Sequence, residues 1–492
     1  MSDSCLFLAD GARAAWSSVP VLGEAKFRAL NIRSLKEEQC RIESFFVLPE
    51  KSGFSLVSVL GDAANHGFRV MKTPVDKSFL SLTPEYAGFN RFEREIFEIH
   101  GIVPEGHPNL KPLRFPQGNI GEMDFFAMSG KAVHEVAVGP VHAGVIEPGH
   151  FRFECMGETV YSLEISLGYQ HRGVEKLLAA GPDARSIHLI ETTAGDSSVA
   201  AAWNYCKAVE ALGDIPVAPE SLTLRQIALE LERCANHIGD LGALAGDVAF
   251  LPTASFCGRI RGEYLNMSAE LCGNRFGRNF VVPGGCRYSC DRERAQKIAA
   301  WIRRVSAELW NALELLFNSP TVLDRFENTG VVTSAMASEL GLAGVAARAC
   351  GKDVDARADF PGTQKFPEKI DVRNFSGDVL SRAQVRYAEL KSSHAYLLEQ
   401  LDRISQEIPA AKQTNKLTLA ADSIAVAVTE AWRGELCHVV ITDEQGRFRT
   451  VKITDPSFHN WEGLAMALRN EEIAHFPICN KSFNLSYCGH DL

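Results

Sequence analysis

A helical period that recurs in three long stretches constrains the fold more than any other feature of the chain. Ile227, Leu231, Cys234, Ile238 and Leu241 repeat at three- and four-residue spacing through 221–246, and the stretches 294–317 and 379–404 do likewise. Such a stripe lies on one face of an α-helix and has to be buried against another element. Three of them call for a mainly helical domain, because long amphipathic helices cover one another's apolar faces.

The first part of the chain follows another period. The stretches 41–48 and 54–60 are rich in Phe, Val and Leu and flank Pro49-Glu-Lys-Ser-Gly53, which predicts a β-hairpin. Phe92, Ile96 and Ile99 follow helical spacing through 90–100, and Gly101, Pro104, Gly106 and Pro108 end that helix. A second hairpin is expected at 436–442 and 448–453 around Asp443-Glu-Gln-Gly446, with a short helix at 460–468. Gly118, Gly121 and Gly130 punctuate a stretch without a consistent period. The chain therefore divides into an α+β domain at 1–118, a linker at 119–132 and a mainly helical domain at 133–492.

Composition narrows the function. The 492 residues carry 51 Lys and Arg against 61 Asp and Glu, a net charge of −10, which argues against nucleic acid as a partner. The best apolar runs, 241–250 and 424–428, fall short of the ~18 residues needed to span a membrane. The opening residues lack the basic region of a secretory signal, so a cytoplasmic location is expected. Thirteen scattered cysteines read as reduced, mostly buried thiols, and no Cys-x-x-Cys pair occurs. No Gly-x-Gly-x-x-Gly turn is present, so any NADH would react on another subunit.

The densest group of reactive residues lies in Gly139-Pro-Val-His-Ala-Gly-Val-Ile-Glu-Pro-Gly-His150 and Leu167-Gly-Tyr-Gln-His-Arg-Gly-Val-Glu-Lys176. Read from the residues alone, a loop bearing His142, Glu147 and His150 serves to hold a metal, relay protons or cap backbone groups. Both stretches resemble the opening of the large subunit of membrane-bound, energy-converting nickel-iron hydrogenases of the formate-hydrogenlyase and hydrogenase-4 type. They equally resemble its homologue, the quinone-site subunit of respiratory complex I. Glu191-Thr-Thr-Ala-Gly-Asp-Ser-Ser198, Tyr205-Cys-Lys-Ala-Val-Glu210, Glu230-Leu-Glu-Arg-Cys-Ala-Asn-His237 and Val282-Pro-Gly-Gly285 follow in the family's order. Upstream, residues 93–110 resemble the complex I subunit fused in front of the large subunit in such hydrogenases.

The resemblance implies a small N-terminal α/β sandwich followed by a helical, hydrogenase-large-subunit-like domain with peripheral β-hairpins. It implies an iron-sulfur small subunit, a ferredoxin-like subunit and antiporter-like membrane subunits as partners, at the cytoplasmic face of the inner or plasma membrane. Arg172 and His237 match residues beside the partner's 4Fe-4S cluster, with His142 and His171 completing the cofactor-facing set. Read from the residues, Arg172 pairs instead with Glu175 or Glu191, and His237 is a satisfied core histidine. Glu147 matches a proton-passing carboxyl, and Asp247 matches the carboxylate that partners the quinone-binding His.

The departures from the family are as informative. A nickel-iron centre needs four soft thiolate ligands, and the matching positions hold Ala194, Ser197, Ser486 and Gly489, with Cys488 one place out of register. The resemblance thus implies loss of the nickel-iron centre. The positions of the family's two quinone head-group donors hold Ile146 and Gly195. Cys479, Cys488, His475 and His490 fit no common zinc spacing, so the tail is expected to pack into the space of the lost centre. Glu93, Arg94 and Glu95 are expected to form a salt-bridged helical face.

Three functions follow. The first is a subunit of a complex I-like, hydrogenase-related oxidoreductase that passes electrons from a partner's cluster towards an acceptor, quinone first, and couples this to ion movement. The second is a non-catalytic scaffold of such a complex. The third, an active hydrogenase, requires paired thiols, and Cys206, Cys479 and Cys488 form no pair at the required spacing.

Overall fold

Ile424, Val426 and Val428 alternate with Ala425 and Ala427 along one strand, and that alternation sets the layering of the molecule. The computed structural model describes residues 5–115, 123–142, 146–361, 366–411 and 417–492. The strands are β1 (Leu6–Ala9), β2 (Arg13–Ala15), β3 (Arg41–Pro49), β4 (Phe54–Asp62), β5 (Gly67–Val75), β6 (Val133–Val138), β7 (His150–Met156), β8 (Thr159–Ser166), β9 (Ser423–Ala431), β10 (Gly434–Thr442) and β11 (Phe448–Thr454). The first sheet runs in the order β1, β5, β4, β3 and the second in the order β11, β10, β9, β2, while β8, β7 and β6 form a third.

The first two sheets pack face to face. Phe46, Leu48, Val57, Val59, Phe68 and Val70 meet Ile424, Val426, Val428, Val439 and Ile441 in one apolar layer. The alanines of β9 point the other way, where the small side chain lets helix α3 approach the sheet. The outer face of the first sheet is closed by helices α1 (Glu24–Lys36) and α2 (Asn90–His100), through Phe27, Leu35, Phe92 and Ile96.

Helix α3 (Ser198–Gly213) leads into α4 (Pro219–Asp247), α5 (Leu251–Cys272) and α6 (Arg292–Phe317). Two short helices, α7 (Gly344–Arg348) and α8 (Ala356–Asp359), precede the long α9 (Val379–Arg403), and α10 (Pro456–Ala467) and α11 (Tyr487–Asp491) follow the second sheet. Helix α4 packs on α5 and α9, and α6 closes the circuit by packing on both, which makes a four-helix bundle.

The predicted hairpins are present, yet the second gains a third strand, β9, and is buried on both faces instead of lying at the periphery. Residues 13–15 pair with 423–425, so the boundary expected near 118 marks a change of pattern along the chain without a break in packing. The linker expected at 119–132 falls partly outside the described residues.

The two halves are also joined by charge. Arg348 pairs with Glu389 of α9 at 2.7 Å and with Glu430 of β9 at 2.8 Å. From Glu389 the chain of contacts runs to Arg233 at 3.8 Å and on to Glu230 at 3.0 Å, both on α4. Arg357 links Glu230 at 3.4 Å to Asp355 at 2.7 Å. Arg41 of β3 bridges Asp359 at 2.9 Å and Glu435 at 2.5 Å. Glu43, on the same strand as Arg41, is buried beside Glu435. Seven elements are thereby tied in an interior where Arg348, Glu389 and Glu430 are each no more than 2% exposed.

Removing one member of such a buried pair leaves the other unpaired in low dielectric and destabilises by about 3–5 kcal/mol. Arg348→Ala should therefore lower the unfolding free energy of the full chain by that amount, read from urea denaturation. Arg373→Ala, at a pair whose arginine is 84% exposed, should leave the denaturation curve essentially unchanged.

Candidate functional site

Strand β8 ends at Ser166, and the segment that follows turns on Gly168, whose φ of +101° and 2.3 Å approach of a would-be Cβ to Arg114 O admit only glycine. The turn presents its N–H groups to the C-terminal tail. Gly168 N and Gln170 N donate to the two carboxylate oxygens of Asp491 at 2.8 and 2.9 Å. His171 Nδ1 lies 2.7 Å from Asp491 O, and Arg172 N and Gly173 N donate to Leu492 O at 2.8 and 3.0 Å. His490, on the same turn, is fully buried between Asp491 and Arg91 and stacks on Phe458. Burial pushes its pKa down to about 3, so the ring is neutral at physiological pH.

This clamp fixes Arg172. Its guanidinium donates to Thr192 O at 2.6 Å, Thr193 O at 3.2 Å and Cys488 O at 3.3 Å, joining the segment before α3 to the tail. Neither expected carboxylate reaches it. Glu175 pairs with Lys452 at 3.1 Å, and Glu191 accepts from Asn279 N and lies 3.5 Å from His188. Arg172 is thus an exposed cation, held by carbonyls, with no ion pair among the described residues. Glu147 joins the same corner, accepting from Gln170 Nε2 at 3.2 Å and from Tyr487 N and Cys488 N at 3.4 Å each.

The other predicted site residues lie elsewhere. His237 does not face outward: it is 0% exposed, its Nε2 is 2.8 Å from Glu389, and Trp432 meets its ring edge-on. The core reading of His237 therefore holds, because Glu389 supplies the partner a buried imidazole needs. Asp247 ends α4 as an exposed residue and joins no described member of the site. His142 braces its own loop through Gly149 O at 3.0 Å, while residues 143–145 lie outside the described residues. His171 serves the tail clamp described above.

The ligand positions are filled by local structure. Ser486 Oγ accepts from Gly489 N at 2.9 Å and caps α11, while Ser486 N donates to Ser457 Oγ. A Cβ at Gly489 would stand 2.7 Å from Asp455 Oδ2 and 2.9 Å from Ser486 Oγ, so no thiol-bearing residue fits there. Ala194 and Ser197 close a tight turn ahead of α3 and are 1% and 3% exposed. Among the described residues no group of three or more His, Cys, Asp or Glu is arranged to hold a metal. These residues do not fit a nickel-iron centre. Nor do Ile146 and Gly195 supply head-group donors for a quinone.

Residues 29–123 match the family described as respiratory-chain NADH dehydrogenase, 30 Kd subunit, and residues 247–425 match its 49 Kd subunit. The chain is a fused homologue of complex I and membrane-bound hydrogenase subunits. It is 29% identical over 357 residues to the carbon monoxide-induced hydrogenase of Rhodospirillum rubrum, covering 72% of this chain and 98% of that one. It is 28% identical to the membrane-bound hydrogenase subunit alpha of Pyrococcus furiosus, over 71% and 85% of the two chains. A chain of the membrane-bound sulfane sulfur reductase, an archaeal respiratory membrane complex, shares the fold at a TM-score of 0.68 and 23% identity, covering 74% of this chain and 99% of that chain. Among the described residues no helix is long and apolar enough to cross a membrane.

Sequence reasoning missed the Asp491 clamp and the buried charges around Glu389. The second had a signal: Arg382, Arg386, Glu389 and Ser393 share one face of α9, and all four are buried. The expected salt-bridged face at 93–95 is interior as well. Glu93 accepts from Ser81, Leu82 and Thr83, Arg94 donates to the carbonyls of Lys111 and Pro112, and Glu95 pairs with Arg114 and with Lys452 at 2.8 Å.

Burial pushes Glu95 up, and Lys452 and Arg114 more than reverse it, bringing the carboxyl from 4.5 to about 2. A depressed folded-state pKa contributes stability that is present above the unfolded value and lost as pH falls through the folded one. Between pH 4.5 and 2, the full chain should lose thermal stability more steeply than Glu95→Gln does, read from melting temperature against pH.

Proposed function

We propose that this chain is the cluster-facing large subunit of a membrane-associated, complex I-like oxidoreductase and works without a nickel-iron centre. The observation that carries the reading is Arg172, an exposed guanidinium fixed by four carbonyls and free of any carboxylate among the described residues. A fixed cation beside an iron-sulfur cluster favours the reduced, more negative state. The electrons come from the 4Fe-4S cluster of an iron-sulfur small subunit. Glu147, held against Gln170 and the tail, is the carboxyl placed to take or release a proton beside Arg172.

A ferredoxin-like subunit and antiporter-like membrane subunits complete the assembly, with this chain peripheral at the cytoplasmic face and ion movement as the output. Quinone is the first acceptor to assay, on the strength of the complex I match, and no step is assigned to it. A scaffold reading is favoured by the packing of Ala194, Ser197 and Ser486, whose turn and cap leave no ligand group free.

Arg172→Ala decides between the two. Removing a positive charge should lower the midpoint potential of the partner's cluster by some tens of millivolts, on the scale of about 59 mV per tenfold change for one electron. Arg172→Lys should recover part of it. An unchanged potential and paramagnetic spectrum in both variants would leave only the scaffold.

A further inference from the structure

The buried charges between the four-helix bundle and the two sheets do not balance. Seven carboxyl groups, Glu43, Glu230, Asp355, Asp359, Glu389, Glu430 and Glu435, are each at most 8% exposed. They face four guanidinium groups, those of Arg41, Arg233, Arg348 and Arg357, with Lys369 adding one cation at the rim, 3.8 Å from Asp359. His237 adds none, because burial holds its ring below the usual imidazole range. Fully ionised, the cluster would bury uncompensated negative charge, which low dielectric does not tolerate.

The geometry shows where protons are held. Glu43 is 1% exposed, lies beside Glu435 and makes no ion pair among the described residues, and a buried carboxylate with no cation of its own is held neutral by a proton. Glu43 Oε1 finds no donor among the described residues and lies against Gly61, where a Cβ would be only 2.2 Å away. The charged groups facing the pair are Arg41 on β3, shared between Asp359 and Glu435 itself, Asp359 on α8, and Arg348 on α7, which is engaged with Glu389 and Glu430. Glu430 faces Arg348, Arg357, Asp355 and Glu435. Together with Arg357 it lines a cleft of about 670 Å³ that reaches the surface at Arg13 and Asp214, the latter 75% exposed.

We propose that Glu43 and Glu435 share a bound proton and, with Glu430 as the exchange point at the cleft, form a proton-binding site inside the protein. The proton comes from solvent through the cleft. Burial raises all three carboxyls, Glu430 to about 7. The inference does not depend on the electron-transfer reading.

Infrared spectra of the intact complex in H2O and D2O, across pH, test it. A protonated-carboxyl band should persist at neutral pH, shift in D2O, and lose amplitude in both Glu43→Gln and Glu435→Gln, while Glu430→Gln slows its deuterium exchange. Either amide still donates to the remaining carboxylate, so both variants keep the contact, and unshifted melting curves confirm folding. A spectrum with no exchangeable carboxyl band that either variant removes overturns the proposal, and the wild-type spectrum alone suffices for that. The partner's cluster signal, read on the same sample, separates the two claims. A band without a cluster signal supports the proton site and contradicts the electron-transfer reading, and a cluster signal without the band overturns the proton site.

Discussion

The buried guanidinium of Arg348 is the point on which the halves of the molecule depend. It sits on a five-residue helix whose residues are all buried and joins α9 to β9 through Glu389 and Glu430. Glu389 is held well below the ordinary carboxylate range: burial opposes its ionisation, and Arg348, His237 and Arg233 outweigh burial. Each charge is tolerable only because the next is in place. The helical bundle and the two sheets consequently have one relative position that satisfies the network.

A second constraint shapes the corner where chemistry is expected. Two turns there hold Ala194, Ser197, Ser486 and Gly489. In this chain the same turns are stabilised by backbone geometry: a serine cap, a tight turn, and the Asp491 carboxylate gathering two N–H groups. Arg172 lies at the surface of the corner with its charge unpaired among the described residues.

Much of the fold was legible in the sequence because its periods are clean. The helices α4, α6 and α9 begin and end within two residues of the limits read from apolar spacing, and the hairpin at 41–60 lies in its expected place. Helix α5 was missed because Cys257, Ile260, Tyr264 and Met267 carry its stripe among glycines and arginines. Strand β9 was seen only as an apolar run too short for a membrane, since a strand buried on both faces shows no polar alternation. Of the site residues expected from the sequence, Arg172 and Glu147 lie at one corner, whereas His237 is interior and Asp247 ends α4. Matching positions in a motif do not say which side of a helix faces the interior, and Glu389, 152 residues away from His237, decides that.

The central claim is that a large-subunit fold retains its place in a redox complex after its metal ligands are lost. Affinity purification of the tagged chain from detergent-solubilised native membranes, with identification of bound subunits and elemental analysis, tests it most directly. The account predicts an iron-sulfur small subunit and antiporter-like proteins in the eluate, with iron and without nickel. Stoichiometric nickel, or a chain recovered alone, would contradict it.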